Sequence, residues 1–551
     1  MNAVPLLRSP PFPGVDASVS NPLEDTAGAA GPADPAALLA LVREARVGGC
    51  FWADAANLPG QADRVLRPQT LSEIADLQAG GSSADVWIAP SEDRNWAPAF
   101  GAAGVVWRGD VDPWSILPEA RLLVAHGDDE WVSLARIAGT PVQLLSSGRF
   151  GAMGDDQAQL DRLAANALVA ARWRDPFSGG ASTLEEVVEL LATWRAVLLA
   201  NRPIAAACGM AWWKREEIRR FLWHPQRPLT VVSSPAKALS LARKAGGAVA
   251  IWPSRVSSGL IADAKAAAVP LVRVEDGFVR SVGLGVDLVP PSSVVVDARG
   301  IHFDPSRTSD LEVILNDAVM PPALLIRARK LRETIVAAGI SKYAVATGAI
   351  RPERQTGRRL VLVTGQVEDD MSVLAAGGGA GSNLALLRHA RAMEPDAEIW
   401  FRPHPDVDAG HRKGAVRDEE ALAFADHVVR GGGMAPLLDV VDAVHVLSSL
   451  TGFEALLRGK EVICHAAPFY AGWGLTRDLG NIPERRRRVL DLDALVAGVL
   501  ILYPRYLDPV TGLPCPPEVL VGRMASAQAV NRLSWVAPLR RWQGRFMAMF
   551  R

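Results

Sequence analysis

Four stretches of the sequence put acids, hydroxyls or a histidine where a strand gives way to a turn or helix. Ser448-Ser449-Leu450-Thr451-Gly452-Phe453-Glu454 follows the apolar run VDAVHVL and opens an amphipathic pattern that Gly459 would cap. Three hydroxyls and several unpaired backbone N–H groups then converge on one helix N-terminus, a place suited to a phosphate. A plain N-cap uses the same residue types. Arg402-Pro403-His404-Pro405-Asp406 follows AEIWF; its prolines end the strand and hold His404 at the sheet's carboxyl edge. An imidazole there can donate to a phosphate or protonate a leaving group. Glu368-Asp369-Asp370 closes the strand LVLVT, and like charges in one site oppose each other's ionisation, so the triplet is a solvated loop or a reactive cluster. The fourth stretch, EDGFVRSVGLG (275–285), joins two carboxylates, Arg280 and three glycines, but it lacks the dinucleotide GxGxxG spacing, which excludes a nicotinamide reading.

The elements that must position these groups read as alternating strands and helices. LTVVSS, PAKALSLARKAG and GAVAIWPS (229–254) form one such series, RRLVLVTGQ to AEIWFRP (358–403) a second, and VDAVHVLSS to KEVICHA (441–466) a third. This predicts parallel sheets covered by helices on both faces, with ligands outside the strands' carboxyl ends. Two blocks, 203–345 and 358–500, flank the polar GAIRPERQTGRR. Upstream lies a faded copy of the last block: ADVWIAP (84–90) matches AEIWFRP, LARIAGTPV (134–142) matches EALLRGKEV, and WRDPFSG (173–179) matches YLDPVTG (506–512). In that copy Ser91 stands for His404, and Asp128 and Asp129 stand for Ser448 and Ser449, so it is expected to repel an anion and to be inactive.

The chain's 59 basic and 60 acidic side chains argue against a dedicated nucleic-acid binder. The four cysteines form no CxxC pair and read as buried thiols rather than zinc ligands or disulfides. No apolar run reaches the roughly 18 residues of a membrane span, and the first 35 residues read as a disordered leader without an export signal.

EDGFVRSVGLG, PPSSVVVDARGIHFD (290–304), SDLE (309–312), SKYAV (341–345), GQVEDDMS, the HPD turn, SSLTGFEALLRGK and PFYAGWGLT (468–476) resemble, in order, the motif series of the capsule-polysaccharide β-Kdo transferases of the KpsC/LipA type. His302-Phe303 and Ala344 depart from the usual aromatic pair and Asn, which bears on acceptor detail. The resemblance implies an α/β fold of the GT-B kind, a pair of Rossmann-type doubly wound domains, here preceded by a degenerate α/β half-module. It implies a retaining transfer of Kdo from CMP-Kdo to a lysophosphatidylglycerol-type lipid, with Asp370 as nucleophile and His404, Ser448, Ser449 and Thr451 around the CMP phosphate. Family members typically carry two complete modules.

Chemistry fits these assignments. One phosphate can be neutralised by a helix terminus, hydroxyls and a histidine, so neither a metal nor a cofactor is expected. Kdo's carboxylate calls for a cation, and Arg280, Lys342 and Arg402 are candidates. Retention needs a second carboxylate to activate the acceptor hydroxyl, Glu275 with Asp276 as rival. The expected domains are a leader (1–35), the degenerate half-module (36–200), an N-terminal Rossmann-like domain on the acceptor side (201–355), a CMP-sugar-binding domain (356–533) and a basic amphipathic tail (534–551) that suits a membrane surface. The expected location is the cytoplasm or the inner face of the inner membrane, with other capsule synthesis and export proteins as partners. Two alternatives are a transferase for another CMP-activated ulosonic acid and a non-catalytic capsule assembly or export factor.

Overall fold

The computed structural model describes residues 5–21, 32, 34–89, 105–280, 289–341, 357–376, 381–410 and 412–526. The chain divides into two compact units, Met1–Pro203 with Leu222–Pro228, and Ile204–Phe221 with Leu229–Arg551.

The first unit holds a parallel sheet of β1 (Val65–Leu66), β2 (Val86–Ala89), β3 (Val105–Arg108), β4 (Leu123–Ala125) and β5 (Val142–Leu144), in the order β3-β2-β1-β4-β5. Leu66, Trp87 and Val124 form its inner face. The helix Leu184–Asn201 also belongs here: Thr183 and Glu186 close a capping box at its start, and Trp194 is fully buried. The expected disordered leader is overturned over residues 5–21. Leu6 and Leu7 are buried, Phe12 meets Trp194 edge-on at 5.1 Å, and Ser20 bridges to Trp173. A few apolar side chains spaced among prolines suffice to anchor an extended segment, and overall composition conceals them.

The second unit holds two sheets. Its first five strands are β6 (Ile204–Cys208), β7 (Thr230–Val232), β8 (Ala248–Ile251), β9 (Leu271–Asp276) and β10 (Ser293–Asp297). Between β7 and β8, Ser234 caps the helix Pro235–Ala245, whose Ala238, Leu239 and Ala242 pack on the sheet, and Gly246 ends it at φ 60°. β11 (Leu360–Thr364), β12 (Glu398–Arg402), β13 (His427–Val428), β14 (Ala443–Val446), β15 (Glu461–Cys464) and β16 (Arg477–Asp478) form an all-parallel sheet, β13-β12-β11-β14-β15-β16. Its central strand LVLVT is buried throughout, as a strand covered on both faces should be. Its first five strands run in the same connection order as the sheet of the first unit.

The chain then returns. After the helix Leu492–Val496 and a π-helical stretch, Ala497–Leu502, come β17 (Pro504–Leu507) and β18 (Pro514–Cys515). β17 pairs antiparallel with β10, giving the first sheet the order β18-β17-β10-β9-β8-β6-β7. β10 also runs antiparallel to β9, so this sheet is mixed rather than parallel, and residues placed by the sequence in the second domain complete the first. Gly498 allows the crossing to lie close, since a Cβ there would meet Leu315 at 2.4 Å. Glu312, on the helix Asp310–Asp317, accepts from Arg485 Nε at 2.7 Å and from Arg486 Nε at 2.9 Å.

Inside the second sheet, His445 Nδ1 and His465 Nε2 lie 3.0 Å apart. Burial, reinforced by each ring's neighbours, lowers His445 to about 3 and His465 to about 4. Both are neutral when folded, whereas the unfolded rings titrate near 6.5. Stability is therefore fully present above that value and is lost as pH falls toward the folded values. By pH 5 the loss should be on the order of 2 kcal/mol for each ring. Thermal melting between pH 7 and 4.5 should show this slope, and a His445→Asn variant should flatten it.

Candidate functional site

Within the second unit, the carboxyl ends of both sheets face a cleft of about 650 Å³. Its lining includes Glu275, Asp276, Arg280, Asp370, Arg402 and His404, with Ser448, Ser449 and Thr451. Every site residue expected from the sequence is there except Lys342, which lies outside the described residues. Phe278 and Phe469 meet at 4.6 Å, with His302 edge-on to Phe278 at 4.9 Å, and line the same cleft.

The acidic triplet is resolved by giving each carboxylate different partners. Glu368 Oε1 accepts from Asn383 N at 2.8 Å, and Asp369 Oδ1 accepts from Arg412 at 3.1 Å. Asp370 caps the short helix Met371–Ala375, taking the Ser372 hydroxyl on Oδ2 at 2.7 Å, while Arg412 lies 3.9 Å from Oδ1. Asn383 braces this loop: its side chain bonds both backbone groups of Gln366 and the Gly414 carbonyl. Gly414 has φ 116°, and a Cβ there would come within 2.7 Å of Asn383.

At the Ser448–Thr451 turn, Gln366 Oε1 accepts from Ser448 N at 2.8 Å and its amide donates to Ser448 Oγ at 3.2 Å. Ser449 caps the helix Leu450–Leu457 through Thr451 N. Tyr470 donates to the Ser449 carbonyl, and Gly452 lets that ring approach, since a Cβ there would lie 2.2 Å from Tyr470 Oη. His404 Nδ1 accepts from Asp406 N at 3.2 Å, which leaves the ring proton on Nε2. Arg402 is buried and donates to the carbonyls of Val429, Gly431 and Gly432, so it braces a loop.

Asp276 sits between two cations. Lys214 Nζ donates to Oδ1 and Arg280 Nε to Oδ2, both at 2.8 Å. Arg280 is buried and also donates to the Val289 carbonyl. Lys214 lies 3.5 Å over the Trp252 ring; burial pulls its pKa down, against the opposing pull of Asp276 and Glu275. Sequence reasoning missed Lys214, Gln366, Asn383 and Arg412. A lysine in the run Trp212-Trp213-Lys214 carried a weak signal, since cations and aromatics so placed often pair.

The first unit has its own cleft of about 680 Å³ at the carboxyl end of its sheet. There Arg67 bonds Asp129 at 2.5 Å and stacks 4.6 Å from the Trp131 ring, Arg8 bonds Glu130 at 2.8 Å, and Asp128 accepts from Arg149 N at 2.8 Å. Ser91 and the tail 534–551 lie outside the described residues. Cys208, Cys464 and Cys515 are buried and Cys50 half-buried; all four are unbridged. Among the described residues no helix is long and apolar enough to cross a membrane.

Two Rossmann-type domains closing on one cleft define the GT-B fold of glycosyltransferases. Residues 247–506 match the family described as capsule polysaccharide biosynthesis protein. The capsule polysaccharide modification protein LipA of Neisseria meningitidis is 39% identical over 352 residues, 64% of this chain and 50% of LipA. The lipopolysaccharide-processing protein LpsZ of Rhizobium meliloti is 39% identical over 311 residues, 56% of this chain and 70% of LpsZ. Among solved structures, Thermosulfurimonas dismutans KpsC, a β-Kdo 2,4 transferase, aligns at 32% identity with a TM-score of 0.52, over 58% of this chain and 98% of that one. The chain belongs to the capsule polysaccharide biosynthesis family of the KpsC/LipA type. It spans about half the length of LipA.

Proposed function

We propose that this chain is a retaining glycosyltransferase that moves Kdo from CMP-Kdo to a lipid-linked, lysophosphatidylglycerol-type acceptor in capsule synthesis. The observation that carries this reading is the convergence of Asp370, Glu275, His404, Ser448 and Ser449 on one cleft. The CMP phosphate takes the Ser448–Thr451 helix terminus and the His404 Nε2 proton. Asp370 attacks the anomeric carbon; a carboxylate–sugar ester forms, and the bond to the phosphate oxygen breaks, its electron pair leaving with CMP. The acceptor hydroxyl then attacks the same carbon, passing its proton to a carboxylate as the ester bond breaks and Asp370 is regenerated. Glu275 suits the proton-accepting role better than Asp276, because a carboxylate clamped by two cations is a poor base. The tail 534–551 and other capsule synthesis or export proteins would bring the enzyme to the inner membrane's cytoplasmic face.

We also read residues 36–200 as a degenerate copy of the CMP-binding domain that supports the active module. The shared connection order and the Asp129–Arg67 pair, in which Asp129 stands for Ser449, support this. Calorimetry tests both readings. Ser448→Asp with Ser449→Asp should weaken CMP binding at least tenfold, and wild type should bind one CMP per chain. Unchanged affinity would remove the phosphate assignment, and two sites per chain would remove the degenerate-copy reading. A donor panel including a CMP-sialic acid distinguishes the sugar.

A further inference from the structure

A side pocket of about 490 Å³ shares Trp213, Lys214, Asp370, Met371 and Arg412 with the cleft. It adds Trp252, Arg255 and Asp369 to its walls. Trp213, Trp252 and Arg255 stand at the carboxyl ends of β6 and β8, on the first sheet. Asp369, Asp370 and Arg412 come from loops of the second domain.

The charges in this pocket are unevenly satisfied. Lys214 is committed to Asp276, and Arg412 to Asp369. Arg255 is exposed, and its guanidinium has no hydrogen-bond or ion-pair partner among the described residues. Its backbone is fixed by a short 3₁₀ turn, Pro253–Arg255, with Arg255 N bonded to the Trp252 carbonyl at 3.0 Å. A guanidinium presents a planar fork of donors matched to phosphate or carboxylate, and beside an indole it forms a surface for a sugar or glycerol unit carrying an anion. Nothing in the phosphate site at Ser448 requires this pocket, yet it reaches Asp370.

We propose that this pocket is the acceptor subsite. In it Arg255 holds an anionic group of the acceptor near the hydroxyl that receives the sugar, with Trp213 lining the adjoining wall. The anion is a phosphodiester of a lipid headgroup or the carboxylate of a terminal ulosonic acid. This rests on the proposed function, because it takes Asp370 as the sugar-bearing residue. Arg255 is a binding residue for the acceptor, remote from the CMP phosphate contacts.

The test uses the full chain saturated with CMP and two probes, a short-chain lysophosphatidylglycerol and an octyl β-Kdo glycoside. Arg255→Ala should bind at least one probe tenfold or more weakly than wild type, and Arg255→Lys should recover part of the loss. The weakened probe identifies the source of the anion. Covalent loading of Kdo from CMP-Kdo, read by intact-protein mass, should be unchanged in Arg255→Ala. Equal affinity for both probes, or wild type binding neither, overturns the subsite. Lost loading in Arg255→Ala assigns the residue to the donor and also overturns it. Absent loading in wild type instead counts against the covalent mechanism, and the probe affinities still judge the pocket.

Discussion

Asp370→Ala should retain CMP-Kdo binding and slow transfer about 10³-fold or more, because removing a nucleophile closes the covalent path. The local structure separates this from a folding defect. Asp370 caps a helix of only five residues, so losing the cap should cost about 1 kcal/mol, too little to unfold the domain. Asp369→Asn should hurt far less, since it weakens an exposed pair with Arg412. In a Glu275→Gln background, brief exposure to CMP-Kdo should add one Kdo mapping to the Asp370 peptide. Full activity in Asp370→Ala, or product of inverted configuration, would end the assignment.

Glu312→Ala should produce the largest loss of stability. The carboxylate is buried and accepts from Arg485 and Arg486, while the Arg486 side chain is 1% exposed and also holds the Pro468 and Ala471 carbonyls. Removing the anion leaves a buried guanidinium without its counter-charge, a change that costs about 3–5 kcal/mol in comparable buried pairs. The melting temperature should fall by roughly 5–10 °C, and Glu312→Gln should recover part of it by keeping an acceptor. A melting point within a degree of wild type would show that the two arginines find other partners.

Much of this molecule was legible in its sequence because buried parallel strands are short apolar runs closed by turn chemistry. LVLVT, AEIWF and VDAVHV became β11, β12 and β14, and Gly246 and Gly459 sit at left-handed helix ends. The cleft's lining was legible for the same reason, since loops at strand ends gather at one edge. What stayed hidden depends on three-dimensional pairing. Lys214 is 62 positions from Asp276, and Gln366 is 82 from Ser448, separations at which sequence spacing carries no geometric signal. Asp276 and Arg280 were visible as charges, but not as partners, so Arg280 read as a ligand for a sugar carboxylate. The return of 504–515 to the first sheet was hidden too, because a strand does not announce which edge it will join.

That return sets an order of events for a chain emerging from the ribosome. In the second unit the strands β6 to β9 are synthesised before the all-parallel sheet, yet one edge of β10 stays uncovered until β17 has been made more than two hundred residues later. Meanwhile the all-parallel sheet, encoded wholly between 360 and 478, has everything it needs to fold. The later-encoded half should therefore be finished before the earlier-encoded half. During that interval Val294 and Val295 lie on an open strand edge, the kind of surface that recruits other chains. Translation rate and chaperone supply, rather than the stability of the finished protein, should then govern how much of it is recovered in soluble form.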